Sequence, residues 1–147
     1  MDRHDYDCVE QSYLAIALTT NNPVQWLRLA KLQMARARYE AAAYTYQKYF
    51  TAGGKDIDAR YNEARALGQI GKVDESSAAY EEVLASKPGI VQFTVIHNYV
   101  EMLLSQNRVD RAIQWVNFVR KKSTSGANFM EKELAAYDGH RVPASVK

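Results

Sequence analysis

Apolar and small residues recur at helical spacing in the stretch WLRLAKLQMARARYEAAAYTYQKY, from Trp26 to Tyr49. Trp26, Leu29, Ala30 and Gln33 fall at i, i+3, i+4 and i+7, one face of a 3.6-residue period. Tyr39, Ala42, Tyr46 and Tyr49 form a second face of the same kind, with Arg36–Arg38 between the two. The pattern predicts two antiparallel helices joined by a short turn, with Ala42 where two backbones approach closely. One helical hairpin cannot bury such a face alone, so the pattern demands neighbours.

The neighbours are in the chain. Shifting the frame by 34 residues aligns Leu67 with Gln33, Gly71 with Ala37, Val73 with Tyr39, Ser76 with Ala42, Tyr80 with Tyr46 and Val83 with Tyr49. Pro88 follows this second hairpin, where it stops a helix. A further shift of 36 residues brings in NYVEMLLSQNRVDRAIQWVNFV. Tyr99, Val100 and Leu103 serve its first helix, Asn107 its turn, and Val109, Ala112, Val116 and Val119 its second. Trp26, Tyr46, Tyr80, Leu103, Val116 and Val119 are expected in the core.

The arrangement resembles the tetratricopeptide repeat (TPR) family: a helix with large-x2-Leu-small-x2-large spacing, a short turn, then a helix with a small residue and an aromatic. Trp26, Leu29, Ala30, Tyr39, Ala42, Tyr46, Gln47 and Lys48 carry the likeness most closely. Three departures stand out. Gln33 replaces an aromatic, Arg60 and Glu63 replace large apolar residues, and the third repeat starts two residues late. The resemblance implies an all-α, right-handed α-solenoid of antiparallel hairpins, a TPR superhelix of about eight helices. Residues 1–22 form an N-terminal half-repeat. Residues 23–123 form three repeats (23–56, 57–90 and 91–123), and 124–147 a capping helix and frayed tail.

The flanks extend the pattern. DCVEQSYLAIAL, residues 7–18, reads as an amphipathic helix. Counting back by 34 aligns Cys8 with Ala42 and Ala15 with Tyr49, which places Cys8 in a small-residue packing slot. The chain then opens on the second helix of a repeat. A genuine N-terminal cap and an excised fragment with an added Met1 both fit. In TTNNP, Asn21 or Asn22 is the expected cap of the next helix and Pro23 suits its first turn. Gly53 and Gly54 are expected to end the first repeat, and Asp56 or Asp58 to open the next helix. FMEKELAAY, residues 129–137, is the expected closing helix over the last apolar face.

Composition removes several function classes. The net charge of +2 gives no field that attracts nucleic acid or a membrane surface. No apolar run reaches the roughly 18–20 residues needed to cross a bilayer. A single cysteine excludes an internal disulfide and suits a reducing compartment. The charged start MDRHDYDCVE is unlike a secretory leader. A cytoplasmic protein is therefore expected, unless the chain is a piece of a longer exported one.

Chemistry is sparse. His4, His97 and His140 are far apart and none has a second ligand at helical spacing, so no metal or other cofactor is expected. The motifs GxGxxG, GxxxxGK[ST] and HExxH are absent. Glu81 and Glu82 are sequence neighbours on a helix and diverge. No catalytic residue is expected.

The family resemblance implies instead a concave groove lined by the first helix of each hairpin. The matching groove positions are Arg28 and Lys31, with Leu27 and Met34, in the first repeat. They are Asp58, Tyr61, Asn62, Arg65 and Gln69 in the second. In the third they are His97, Asn98 and Glu101, with Thr94 and Leu104. Asn side chains can bond a peptide backbone in both directions. Arg28, Lys31 and Arg65 favour a carboxylate or acidic stretch, and Tyr61 offers a rigid anchor. The carboxylate clamp of some TPR modules is mostly missing: Asn62 matches it, but Leu27, Lys31, Thr94 and Asn98 stand at its other positions. Tyr44, Phe50 and Trp115 lie outside the core frame, either packed between repeats or partly exposed.

The expected function is a non-enzymatic scaffold binding a peptide or partner protein in the groove. Two rivals remain: a helical-repeat module binding RNA, and a regulatory domain of a larger protein. Self-association is left open. RNA binding is disfavoured by the lack of a basic footprint.

Overall fold

The computed structural model describes residues 2–86 and 92–122, together with residues 132 and 135. Among these there are seven helices and no strand: α1 (Arg3–Thr20), α2 (Pro23–Ala35), α3 (Tyr39–Thr51), α4 (Ile57–Gln69), α5 (Val73–Ser86), α6 (Gln92–Ser105) and α7 (Val109–Lys122). The expected closing helix at 129–137 and the tail lie outside the described residues. Two compact units are present, Met1–Ser86 and Lys87–Lys147. In the first, α1 packs on α2, α2 on α3, α3 on α4 and α4 on α5, and α2 also touches α4. In the second, α6 packs on α7. The fold is all-α, and the packing of consecutive helices is that of a helical repeat.

The helix ends repeat as the apolar pattern does. α2 and α4 start at Pro23 and Ile57 and end at Ala35 and Gln69, an offset of 34 at both ends. α5 and α7 start at Val73 and Val109 and end at Ser86 and Lys122, an offset of 36. Local chemistry sets these ends. The Asn22 side chain accepts the Val24 N–H at 2.9 Å, with Pro23 in the first turn. Asp56 does the same for the Asp58 N–H at 2.9 Å.

All three hairpin turns close alike. Ala37, Gly71 and Asn107 have φ of 56°, 81° and 59°. Their N–H groups donate to the Met34, Gly68 and Leu104 carbonyls. The next N–H, from Arg38, Lys72 or Arg108, donates to Gln33, Leu67 or Leu103 at 2.9, 3.0 and 2.7 Å. This pair of hydrogen bonds is the Schellman closure of a helix C-terminus.

The expected core is buried: Trp26, Tyr46, Tyr80, Leu103, Val116 and Val119. Ala42, Ser76 and Ala112, the aligned small residues, have no exposed surface. Tyr44 is exposed, while Phe50 and Trp115 are half-buried. Phe50 lies under the Arg60 guanidinium at 3.7 Å, and Trp115 contacts Tyr99 and Phe118.

The N-terminal helix departs from expectation. It spans Arg3–Thr20 rather than 7–18, and Cys8 and Ala15 are exposed instead of packed. The buried residues are Glu10 and Ala17, with Tyr13 half-buried. Only Asn21 and Asn22 separate α1 from α2, whereas residues 52–56 separate α3 from α4. The buried Glu10 and Ala17 each stand two residues on from the expected Cys8 and Ala15, so counting back by a constant 34 misplaces the frame. A slip of two residues turns a helix by about 200°, which carries a side chain to the opposite face.

Candidate functional site

The first helices of the first unit carry the stripe singled out from the sequence. On α2, Arg28 and Lys31 are exposed. On α4, Asp58, Arg65 and Gln69 are exposed and Tyr61 and Asn62 are half-buried. Arg28 aligns with Asn62 and Lys31 with Arg65, one 34-residue step apart. The two helices that carry these rows, α2 and α4, touch. Leu27 and Met34 pack, half-buried, against the apolar core.

The α4 part of the stripe is ordered by its neighbours. Arg65 Nη1 donates to Asn62 Oδ1 at 3.5 Å, and its guanidinium lies 5.7 Å from the Tyr61 ring centre. Tyr61 meets Tyr80 edge-on at 6.1 Å. Beneath them the Tyr46 hydroxyl is buried, and no partner meets hydrogen-bond geometry. Burial pushes the Tyr46 phenol up to about 12, against the opposing pull of the Asn62 side chain and the Arg65 charge.

In the second unit, α6 presents Thr94 and Glu101 exposed and His97 and Asn98 half-buried. His97 Nε2 is 4.0 Å from Glu101 Oε1, and its ring stacks with Phe93 at 6.2 Å. Leu104 is buried and belongs to the core, not to a binding face.

A second polar cluster escaped the sequence reading. Gln33 Nε2 donates to Glu10 Oε1 at 2.9 Å, and Thr45 Oγ1 donates to Gln33 Oε1 at 2.6 Å. Arg36 Nη1 donates to Glu10 Oε2 at 3.0 Å and Arg38 Nη1 reaches the same oxygen. Arg36 Nη2 pairs with Asp7 at 2.8 Å, and that hydrogen bond, with the guanidinium charge, holds the Asp7 carboxyl below the usual range. Glu10, Gln33 and Thr45 are all buried. Beside them opens a cleft of about 480 Å³, lined also by Arg3, Gln11 and Leu14. The one signal in the sequence was Gln33, a polar residue in an aromatic's place. Its partner Glu10 was invisible because the α1 frame was slipped.

The other departure from the pattern behaves likewise. Glu63 is buried and accepts from Arg60 Nη1 at 2.6 Å, while Arg60 Nε lies 3.1 Å from Glu82. That second contact is an ion pair by distance only, since Nε makes no hydrogen bond of proper geometry. Burial raises the Glu63 carboxyl above its ordinary value, with Arg60 opposing. Where two apolar residues would pack, an ion pair stacked on Phe50 fills the space.

No described helix is long and apolar enough to cross a membrane. No protein-family model matches the chain, and no curated protein is significantly similar to it.

Proposed function

We propose that this chain is a non-enzymatic scaffold of tetratricopeptide type, and that it binds an extended segment of a protein partner along the first helices of its hairpins. The observation that carries this reading is the paired stripe on α2 and α4. Arg28 and Lys31 stand at repeat positions matched by Asn62 and Arg65, on helices that touch. Large residues at the neighbouring positions are taken up by packing, which leaves the polar ones outward. Arg28, Lys31 and Arg65 suit carboxylates, and Asn62 suits a peptide backbone. A stripe built on packed helices needs little ordering on binding. On α6, Asn98 and Glu101 continue the same repeat positions.

The test is a double charge reversal, Lys31→Glu with Arg65→Glu, compared with the unaltered chain in recovery of the native partner. Both side chains are exposed, so the thermal melt is expected to stay in place while partner recovery is lost. Undiminished recovery by a folded double variant overturns the assignment.

A further inference from the structure

α1 is held by an unusual set of contacts. Its only fully buried residues are Glu10 and Ala17. Its large aliphatics point outward: Leu14, Ile16 and Leu18 are 39%, 44% and 65% exposed. A helix retained by apolar burial turns such residues inward. Here Ala17 and Tyr13 pack on the core, and beside them α1 buries a carboxylate, Glu10.

The groups that hold this carboxylate all belong to the α2–α3 hairpin. Gln33 and the two arginines supply the donors described above. Thr45 fixes the Gln33 amide by donating to its oxygen, which aims the NH2 group at Glu10. Two guanidiniums and one oriented amide make a receptor for a carboxylate, since charge-assisted bonds of this kind are the strong ones. If α1 lifts away, Asp7 and Glu10 leave together, and Arg36 and Arg38 remain without these counter-ions. The open cleft alongside Glu10 lets solvent and a competing group reach the anchor.

We propose that this pocket is a docking site in its own right, which α1 occupies as a displaceable plug. Its outside ligand is an acidic helix of a protein partner carrying the face that α1 itself presents, Glu-x2-Tyr-x3-Ala, as in Glu10, Tyr13 and Ala17. The carboxylate fills the Gln33–Arg36–Arg38 pocket, and the aromatic and small residues pack on α2. This site is separate from the stripe on α2 and α4 and does not depend on it.

The chain's single cysteine, Cys8, is exposed on α1 and takes a fluorophore without entering the core. The probe is an unlabelled peptide with the sequence of residues 3–20 and Ser in place of Cys8. Added to the labelled full-length chain, it is expected to lower the fluorophore's anisotropy saturably as α1 is released. The same peptide with Glu10→Gln is expected to need at least a tenfold higher concentration. Unchanged anisotropy at millimolar peptide, or equal potency of the two peptides, overturns the proposal. Amide exchange on the unlabelled chain gives a second readout. α1 is expected to exchange at least tenfold faster than α3, and exchange of the two helices in step overturns the plug.

Discussion

Ala37 and Gly71 stand one repeat apart and hold the same left-handed backbone conformation, with φ of 56° and 81°. Each closes its hairpin through the same pair of N–H to carbonyl bonds. Glycine takes this conformation freely, while a Cβ makes it costly. Ala37→Gly is therefore expected to stabilise the chain by about 1 kcal/mol, and Gly71→Ala to destabilise it by a similar amount. Denaturant midpoints at constant slope measure both. Destabilisation by Ala37→Gly contradicts the account of the turn.

Tyr46 fills the core with its ring but leaves its hydroxyl buried and without a properly formed hydrogen bond. An unsatisfied buried polar group costs free energy that its removal returns. Tyr46→Phe keeps the ring and is expected to raise stability by about 1 kcal/mol. In the unaltered protein, one tyrosine is expected to ionise only near pH 12 in a spectrophotometric titration, and that late step disappears in the variant.

Glu63 makes stability depend on pH in the opposite sense to a surface ion pair. Its folded carboxyl is raised above the ordinary 4.5 by burial, so the folded state binds this proton more tightly than the unfolded chain. The contribution is fully present below that ordinary value and is lost as pH rises through the folded one. Asp7 runs the other way: lowered by Arg36, its contribution is present above the unfolded value and lost as pH falls. Glu63→Gln removes only the first effect. The variant is expected to gain on the unaltered protein as pH rises from about 4.5 toward neutral. A constant difference in denaturant midpoint across that range refutes the burial argument.

The hairpins were legible because their determinants are local. Apolar spacing, the Asn22 and Asp56 caps and the Ala42–Ser76–Ala112 series act within one helix or between sequence neighbours. Each repeat also supplied a check on the others. The stripe residues could be placed on their helices for the same reason. Which of them stay outward depended on packing: Leu27, Met34 and Leu104 share the helical positions of groove residues yet are drawn toward the core.

By itself the sequence determined the helical class, the turns, and the 34- and 36-residue steps, since these follow from period and backbone preference. Tertiary structure decided the face α1 buries, and what becomes of Gln33, Arg60 and Glu63. A polar residue at a core position announces only that a partner is needed. Glu10 lies 23 residues from Gln33. That distance is bridged by a two-residue link and a rotated helix, and no local spacing records the rotation.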